Sequence, residues 1–229
     1  MKNSITIIKN ELSSHMSNPA IMGIIILPMI MSVFVMNAME IAEQDFLLAA
    51  WLLFAQAMVG IMITGPNIIE ERESKTIDAL LCSPLSFGQI VFSKCFAVLI
   101  LSVISQLGVY FMNRGVTSDI FILFIPITIG GALLILIGAI IGLKVKSSQN
   151  GSAVSSITMI SLFLVVTVYQ LLPEWVVRVM VAVPSVSITE VADMVMTQKP
   201  IAVLQSGIVI AWLFVCIIYI KYIEKQWTK

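Results

Sequence analysis

The sequence has one histidine and three cysteines. A single histidine cannot build a metal centre of the usual His/Cys spacing, and no two of Cys82, Cys95 and Cys216 form a C-x-x-C pair. The odd number argues against a disulfide framework, so all three read as free thiols near the cytoplasmic side. Charge is also scarce. Asp, Glu, Lys and Arg make up 11% of residues, where soluble domains average about 25%. No G-x-x-x-x-G-K cradles a phosphate, and neither H-E-x-x-H nor G-x-S-x-G occurs. These absences exclude a P-loop ATPase, a zinc hydrolase of the common type and a nucleophile-elbow hydrolase. No cofactor is expected on this chain. The formal net charge is zero, so nothing favours a nucleic acid as partner.

What the sequence has instead is long apolar runs: 59% of its 229 residues are hydrophobic, with a mean hydropathy of +1.03. A helix rises 1.5 Å per residue, so about 20 apolar residues match the roughly 30 Å hydrocarbon core of a bilayer. Six such runs are predicted, over 19–39, 46–66, 87–111, 120–143, 153–172 and 201–220. The fold class is therefore all-α, a polytopic membrane protein forming one transmembrane domain over 1–229, with almost no residues left for a soluble domain. Residues 1–17 place Ile5, Ile8, Leu12 and Met16 at helical spacing opposite Lys2, Lys9, Asn10 and Ser13. That pattern predicts an amphipathic helix on the membrane surface, with His15 as a surface residue. Asn18 and Pro19 then read as the cap and first position of span one, with a kink at Pro28. No small-residue cleavage signature follows the first apolar run, so that span is read as retained.

Residues 173–200 are too polar to span and too apolar for a free loop. The segment from Glu174 to Val183 is bracketed by Pro173 and Pro184, and Ser187 with Glu190 fits a capping box, with Val186 and Val191 as its staple. Two short helices in a re-entrant hairpin are predicted between spans five and six. Orientation follows from Lys and Arg placement. With both termini inside, ten of the thirteen basic residues are cytoplasmic and only Arg114, Arg178 and Lys199 fall outside. Lys94, two turns into span three, is expected to snorkel toward the cytoplasm.

The chain is organised around Glu70 to Pro84, EERESKTIDALLCSP, its most charged run. Lipid will not accept it, and it is too short to fold alone. Ser74 is predicted to cap a short helix with Glu71 and Glu73 near its N-terminus. Ile77, Leu80 and Leu81 share one face of that helix, and Pro84 ends it. Ser86 and Gln89 fit a capping box for span three, with Leu85 and Ile90 as the staple. The stretch reads as a cytoplasmic docking element whose movement displaces the spans.

Within the spans, Ser102, Ser105, Gln106 and Asn113 share one face of span three and are the candidate lining of a path, while helix packing is the alternative for each. Span five carries Ser155, Ser156, Ser161, Thr167 and Gln170 more widely spread. Gly138 and Gly142 give span four a G-x-x-x-G spacing. No charged residue lies at the centre of a span, which argues against an ion-coupled carrier.

Glu70-Glu71 resembles the start of the E-E-x-x-x-R motif of membrane CAAX-type proteases, but the sixth position is Lys75 and no histidine lies in the later spans. The stronger resemblance is to the membrane subunits of ABC-2-type exporters, whose signature reads roughly E-R-E-x-[GK]-T-[LI]-[ED]-x-L-x-x-x-P. It stands here from Glu71, Arg72, Glu73, Ser74, Lys75, Thr76, Ile77 and Asp78 through Leu80 to Pro84. Lys75 occupies a position where many members carry glycine. The layout matches over the whole chain, and this stretch matches in its residues.

The resemblance implies a permease that pairs with a second permease chain, identical or related, and with two copies of a separate ABC ATPase subunit that carry ATP and Mg. Thr76 to Leu81 would be the coupling helix seated in a cleft of the ATPase. Glu71, Arg72 and Glu73 would form ion pairs there, and Ile77 and Leu80 would supply the apolar anchor. The N-terminal helix would add a second contact. The expected role is export of an amphipathic or hydrophobic cargo, a peptide or antibiotic ahead of a lipid, across a bacterial cell membrane. A membrane scaffold or sensor subunit is the alternative, with a membrane protease behind it.

Overall fold

The computed structural model describes residues 2–38, 44–76 and 86–227. Among these residues every regular element is helical. An N-terminal helix, Lys2–Ser17, precedes six helices long and apolar enough to cross a membrane. These are span one Pro19–Ala38, span two Gln44–Glu73, span three Phe87–Arg114, span four Ile120–Lys144, span five Ser148–Val168 and span six Val203–Trp227. Two shorter helices, Glu174–Met180 and Pro184–Met196, lie between spans five and six.

Span two is the axis of the bundle. Its small residues (Ala49, Ala50, Ala55, Ala57 and Gly60) let neighbours approach on every side, and it packs against spans one, three, four and five and the second hairpin helix. The closest seam is with span four. A Cβ added to Gly138 would lie 2.8 Å from the Gly60 carbonyl oxygen, and one on Gly142 would lie 2.9 Å from that of Gly65. The G-x-x-x-G spacing therefore serves helix contact, where lipid supplies no hydrophobic drive and close backbone packing does the work.

Span two is also longer than its apolar run. Thirty residues give about 45 Å against a hydrocarbon core of roughly 30 Å. The helix does not stop at Pro66, because Ile68 and Ile69 beyond it are fully buried against the other spans. The overrun carries Glu70–Glu73 out of the hydrocarbon on the last turn of span two. The expected local structure placed Glu71 and Glu73 near the start of a new helix; they lie instead on the last turn of span two, and Thr76, two residues after Ser74, is helical again. Ser74 follows the helix, with its N–H on the Glu70 carbonyl at 2.9 Å. Lys75 then takes a left-handed φ of 57°, the conformation that terminates helices and that glycine adopts freely. The rest of the expected coupling helix, Ile77, Leu80, Leu81 and Pro84 included, lies outside the described residues, as does Leu85 of the staple.

Span three opens as its sequence dictates. The Gln89 N–H donates to Ser86 Oγ at 3.3 Å and the Ser86 N–H to Gln89 Oε1 at 3.0 Å. Asn18 caps span one, its Oδ1 accepting from the Ala20 N–H at 3.0 Å.

The two short helices meet at 99°. Span five runs away from the end where Lys94 lies, and span six returns to it, so both arms of the hairpin begin and finish at the Arg114 end. The hairpin's bend reaches well into the bundle: the Trp212 indole N–H donates to the Ala182 carbonyl at 3.0 Å, about 14 Å along span six from its first residue. The second helix starts at Pro184, with Pro at its first turn, so the capping box at Ser187 does not form. Ser187 is buried, and its hydroxyl donates to the Val181 carbonyl at 2.6 Å. Pro184 wins because its fixed φ suits the first helical position.

Candidate transmission site at the Lys94 end

The last turn of span two distributes its charged side chains to four different elements. Glu71 pairs with Lys94 of span three, and the same ammonium pairs with Glu11 of the N-terminal helix. Lys94 is 3% exposed. It does not snorkel, because two carboxylates are brought to it inside the protein, and a buried charge held this way needs no route to water. Asn67, one turn before Glu71 on span two, contacts His15 Nε2 at 3.4 Å and donates to Glu11 Oε2 at 3.5 Å.

His15 is consequently no surface residue; it is 3% exposed. Burial pushes its imidazole below the ordinary histidine range, Lys94 adds to that, and Glu11 opposes it. The face of the N-terminal helix that meets the protein carries Glu11, Leu12 and His15, while Ile5 and Met16 of the predicted stripe point outward. Both faces of this helix are thus in use, the charged one toward the bundle and the apolar one available to the membrane surface.

Arg72 and Glu73 attach to the loop between spans four and five. The Arg72 guanidinium donates through Nη1 to the carbonyls of Gly142 at 2.8 Å, Leu143 at 3.1 Å and Val145 at 2.9 Å. These are carbonyls that the end of span four leaves without intrahelical partners, at the negative pole of that helix. Glu73 accepts from the Ser148 N–H at 3.0 Å and from the Ser148 hydroxyl, at the positive pole where span five begins. Each charge meets the helix end of opposite sign. A further tie closes the same end: Glu224 of span six accepts from the Gly88 N–H at 3.2 Å, in the first turn of span three. Thr76 hydrogen-bonds back to the Glu71 carbonyl at 3.1 Å, which anchors the start of the coupling stretch to the junction.

The side chains of Glu71, Arg72 and Glu73 thus make their contacts within this chain. Glu11, Asn67, Ser148 and Glu224 were not singled out from the sequence, and His15 was read there as a surface residue. Lys94 was the available signal, since a lysine inside an apolar span calls for a carboxylate partner.

The polar face of span three is brought into helix-to-helix bonds. Ser102, Ser105 and Gln106 are fully buried. Gln56 of span two donates to Gln106 Oε1 at 2.6 Å, and Gln106 in turn donates to Ser102 Oγ at 3.1 Å. Ser105 donates to the Ile25 carbonyl of span one at 2.8 Å, and Asn113 to Ser32 Oγ at 2.8 Å. At the opposite end, Arg114 gathers Asp45 at 2.5 Å, Asp119 at 3.6 Å and the Met196 carbonyl at 3.0 Å. This ties spans two, three and four to the end of the hairpin. Among the described residues no cluster of three or more metal-ligating side chains occurs.

The family model described as ABC-2 family transporter protein matches residues 43–220. No curated protein matches the chain.

Proposed function

The chain belongs to the ABC-2 family of transporter proteins, and from that membership and the junction around Lys94 we propose that it is the permease subunit of an ABC exporter. Hydrolysis of ATP, with its Mg, takes place on a separate ABC ATPase, present in two copies. A second permease chain, identical or related, completes the assembly in a bacterial cell membrane. Both termini and the coupling stretch face the cytoplasm, in keeping with the excess of lysine and arginine at that end.

The observation that carries this reading is the way span two ends. Its last turn holds the N-terminal helix and span three through Lys94, the end of span four through Arg72, and the start of span five through Glu73. A coupling helix over residues 76–81 hangs directly from that turn. A push on it reaches four elements at once through charge-assisted bonds, and rigid helices carry the displacement across the bilayer. In this scheme Ile77, Leu80 and Leu81 contact the ATPase, while Glu71, Arg72 and Glu73 transmit.

The cargo is amphipathic or hydrophobic, a peptide or antibiotic ahead of a lipid. Ser161 and Thr167 of span five, and Gln170 just past its end, are exposed on the outside of this chain. A mildly polar path between two permease copies fits that face better than Ser102, Ser105 and Gln106, which are enclosed within one.

Co-purification tests the proposal. The intact chain is expected to retain its ATPase subunit in detergent, and Ile77→Asp with Leu80→Asp to lose it while inserting normally. If the ATPase is recovered with the double variant at parental yield, the docking assignment fails.

A further inference from the structure

Spans five and six are consecutive but make no substantial seam with each other; span five rests on span two, and span six on span four and the hairpin. Between them lies a groove of about 650 Å³. Ile140 of span four forms its floor, with Thr158 and Leu162 on one wall and Val215 and Tyr219 on the other. Its ceiling is the bend of the hairpin, Ala182 to Pro184, fixed there by the Trp212 hydrogen bond to Ala182. Tyr219 marks the opposite, open end. The ammonium of Lys144 stands over the Tyr219 ring, 5.5 Å from its centroid, and Lys144 is exposed.

Three features specify an occupant. The lining is almost wholly apolar, so water gains nothing by entering. The mouth is continuous with the lipid-facing surface, since Val215, Ile218 and Ile157 beside it are exposed. The open end carries a cation at the depth where span six leaves the hydrocarbon, and the closed end stops about 10 Å deeper, measured from Tyr219 to Trp212 along the helix. An apolar slot with a positive charge at its interfacial end complements a phospholipid: an acyl chain below, a phosphate above.

We propose that this groove is a binding site for one anionic phospholipid from the leaflet at the Lys94 end. Its acyl chain lies between spans five and six and ends against the hairpin bend, and its phosphate is held by Lys144. The bound chain fills the space that would otherwise leave both spans unpacked, and it gives the hairpin a lipid support from below.

Single-tryptophan protein tests this. Trp51, Trp175 and Trp227 are replaced by Phe, leaving Trp212 at the ceiling. The protein is loaded with phosphatidylglycerol brominated on its acyl chain, extracted into detergent and washed free of loose lipid. Retained quenching of Trp212 is expected, together with a single-lipid mass increment in native mass spectrometry. Thr158→Phe and, separately, Val215→Phe fill the groove from its two walls and are expected to abolish both signals. Lys144→Gln is expected to remove the preference for phosphatidylglycerol over phosphatidylcholine while leaving acyl-chain quenching in place. Full recovery of Trp212 fluorescence on washing the parent overturns the proposal. So does undiminished quenching in a folded filling variant. A third contrary result is an unquenched parent whose cross-linked dimer is lost on filling, which assigns the groove to a second copy of the chain.

Discussion

Arg72 and Glu73 are neighbours in sequence and hold the two sides of one loop. Arg72 takes three carbonyls at the end of span four, and Glu73 takes the backbone N–H and hydroxyl of Ser148 at the start of span five. Opposite charges on consecutive residues match the opposite poles of consecutive helices. The loop is thereby fixed to the last turn of span two, and exchanging the two residues would set each charge against the wrong pole. Arg72→Gln is expected to lower the thermal midpoint in detergent by the equivalent of about 1–3 kcal/mol, the loss of charge-assisted bonds. It is further expected to lower substrate-stimulated ATPase activity without releasing the ATPase. A variant that loses the ATPase altogether would instead place Arg72 in the docking contact.

Lys94 serves two carboxylates, so its removal takes the cation from both and leaves Glu11 only Asn67 and His15. Lys94→Met is expected to destabilise by about 3–5 kcal/mol. Adding Glu11→Gln and Glu71→Gln to Lys94→Met is expected to recover most of that loss, because no buried charge then lacks a partner. Midpoints of the four combinations in a mutant cycle measure the coupling, and additive losses would show that the three groups do not act together.

The seam between spans two and four has no room for a methyl group. Gly138→Ala places a Cβ 2.8 Å from the Gly60 carbonyl, and overpacking of this kind costs about 1–3 kcal/mol. Gly23→Ala and Gly207→Ala are the controls, since nothing lies within 4 Å of either added Cβ. Equal midpoints for Gly138→Ala and the controls would contradict the packing argument.

Lys75 holds a φ of 57°, which costs a side chain more than it costs glycine. Lys75→Gly is expected to stabilise the chain by up to about 1 kcal/mol. Hydrogen exchange at the end of span two, with protection rising in the variant, gives the local readout.

His15 is buried and its imidazole is held below the ordinary value by burial first and Lys94 second. The unfolded chain therefore binds a proton at higher pH than the folded one. The sign follows from linkage: stability is fully present above about pH 6.5 and is lost as the pH falls through the folded value. Glu11, Glu71 and Lys94 share the site, so the difference between the parent and His15→Gln isolates the histidine. The parent is expected to lose more of its midpoint than the variant on acidification, and parallel curves would refute the assignment.

The six spans, the two short helices between spans five and six and the Ser86–Gln89 cap were legible because each rests on a local pattern: an apolar run of membrane length, a pair of prolines, a capping box. The same local reading misplaced the end of span two. There the apolar run ends near Pro66, but the helix continues to Glu73 because buried Ile68 and Ile69 hold it against other spans. It failed at Ser187 too, where a good capping box is overridden by Pro184 three residues earlier.

The sequence alone determined that this chain lives in a bilayer, how many times it can cross, and that one charged run between spans two and three has to lie outside the lipid. Hydropathy over about 20 residues decides those matters, and it needs no knowledge of neighbours. Only the tertiary structure decided where the charges of that run go. Glu11 and Lys94 lie 83 residues apart, and Arg72 and Gly142 seventy, and no local pattern encodes such pairings. They arise because helix ends carry unsatisfied backbone groups and buried charges require partners, and the bundle alone brings the two together.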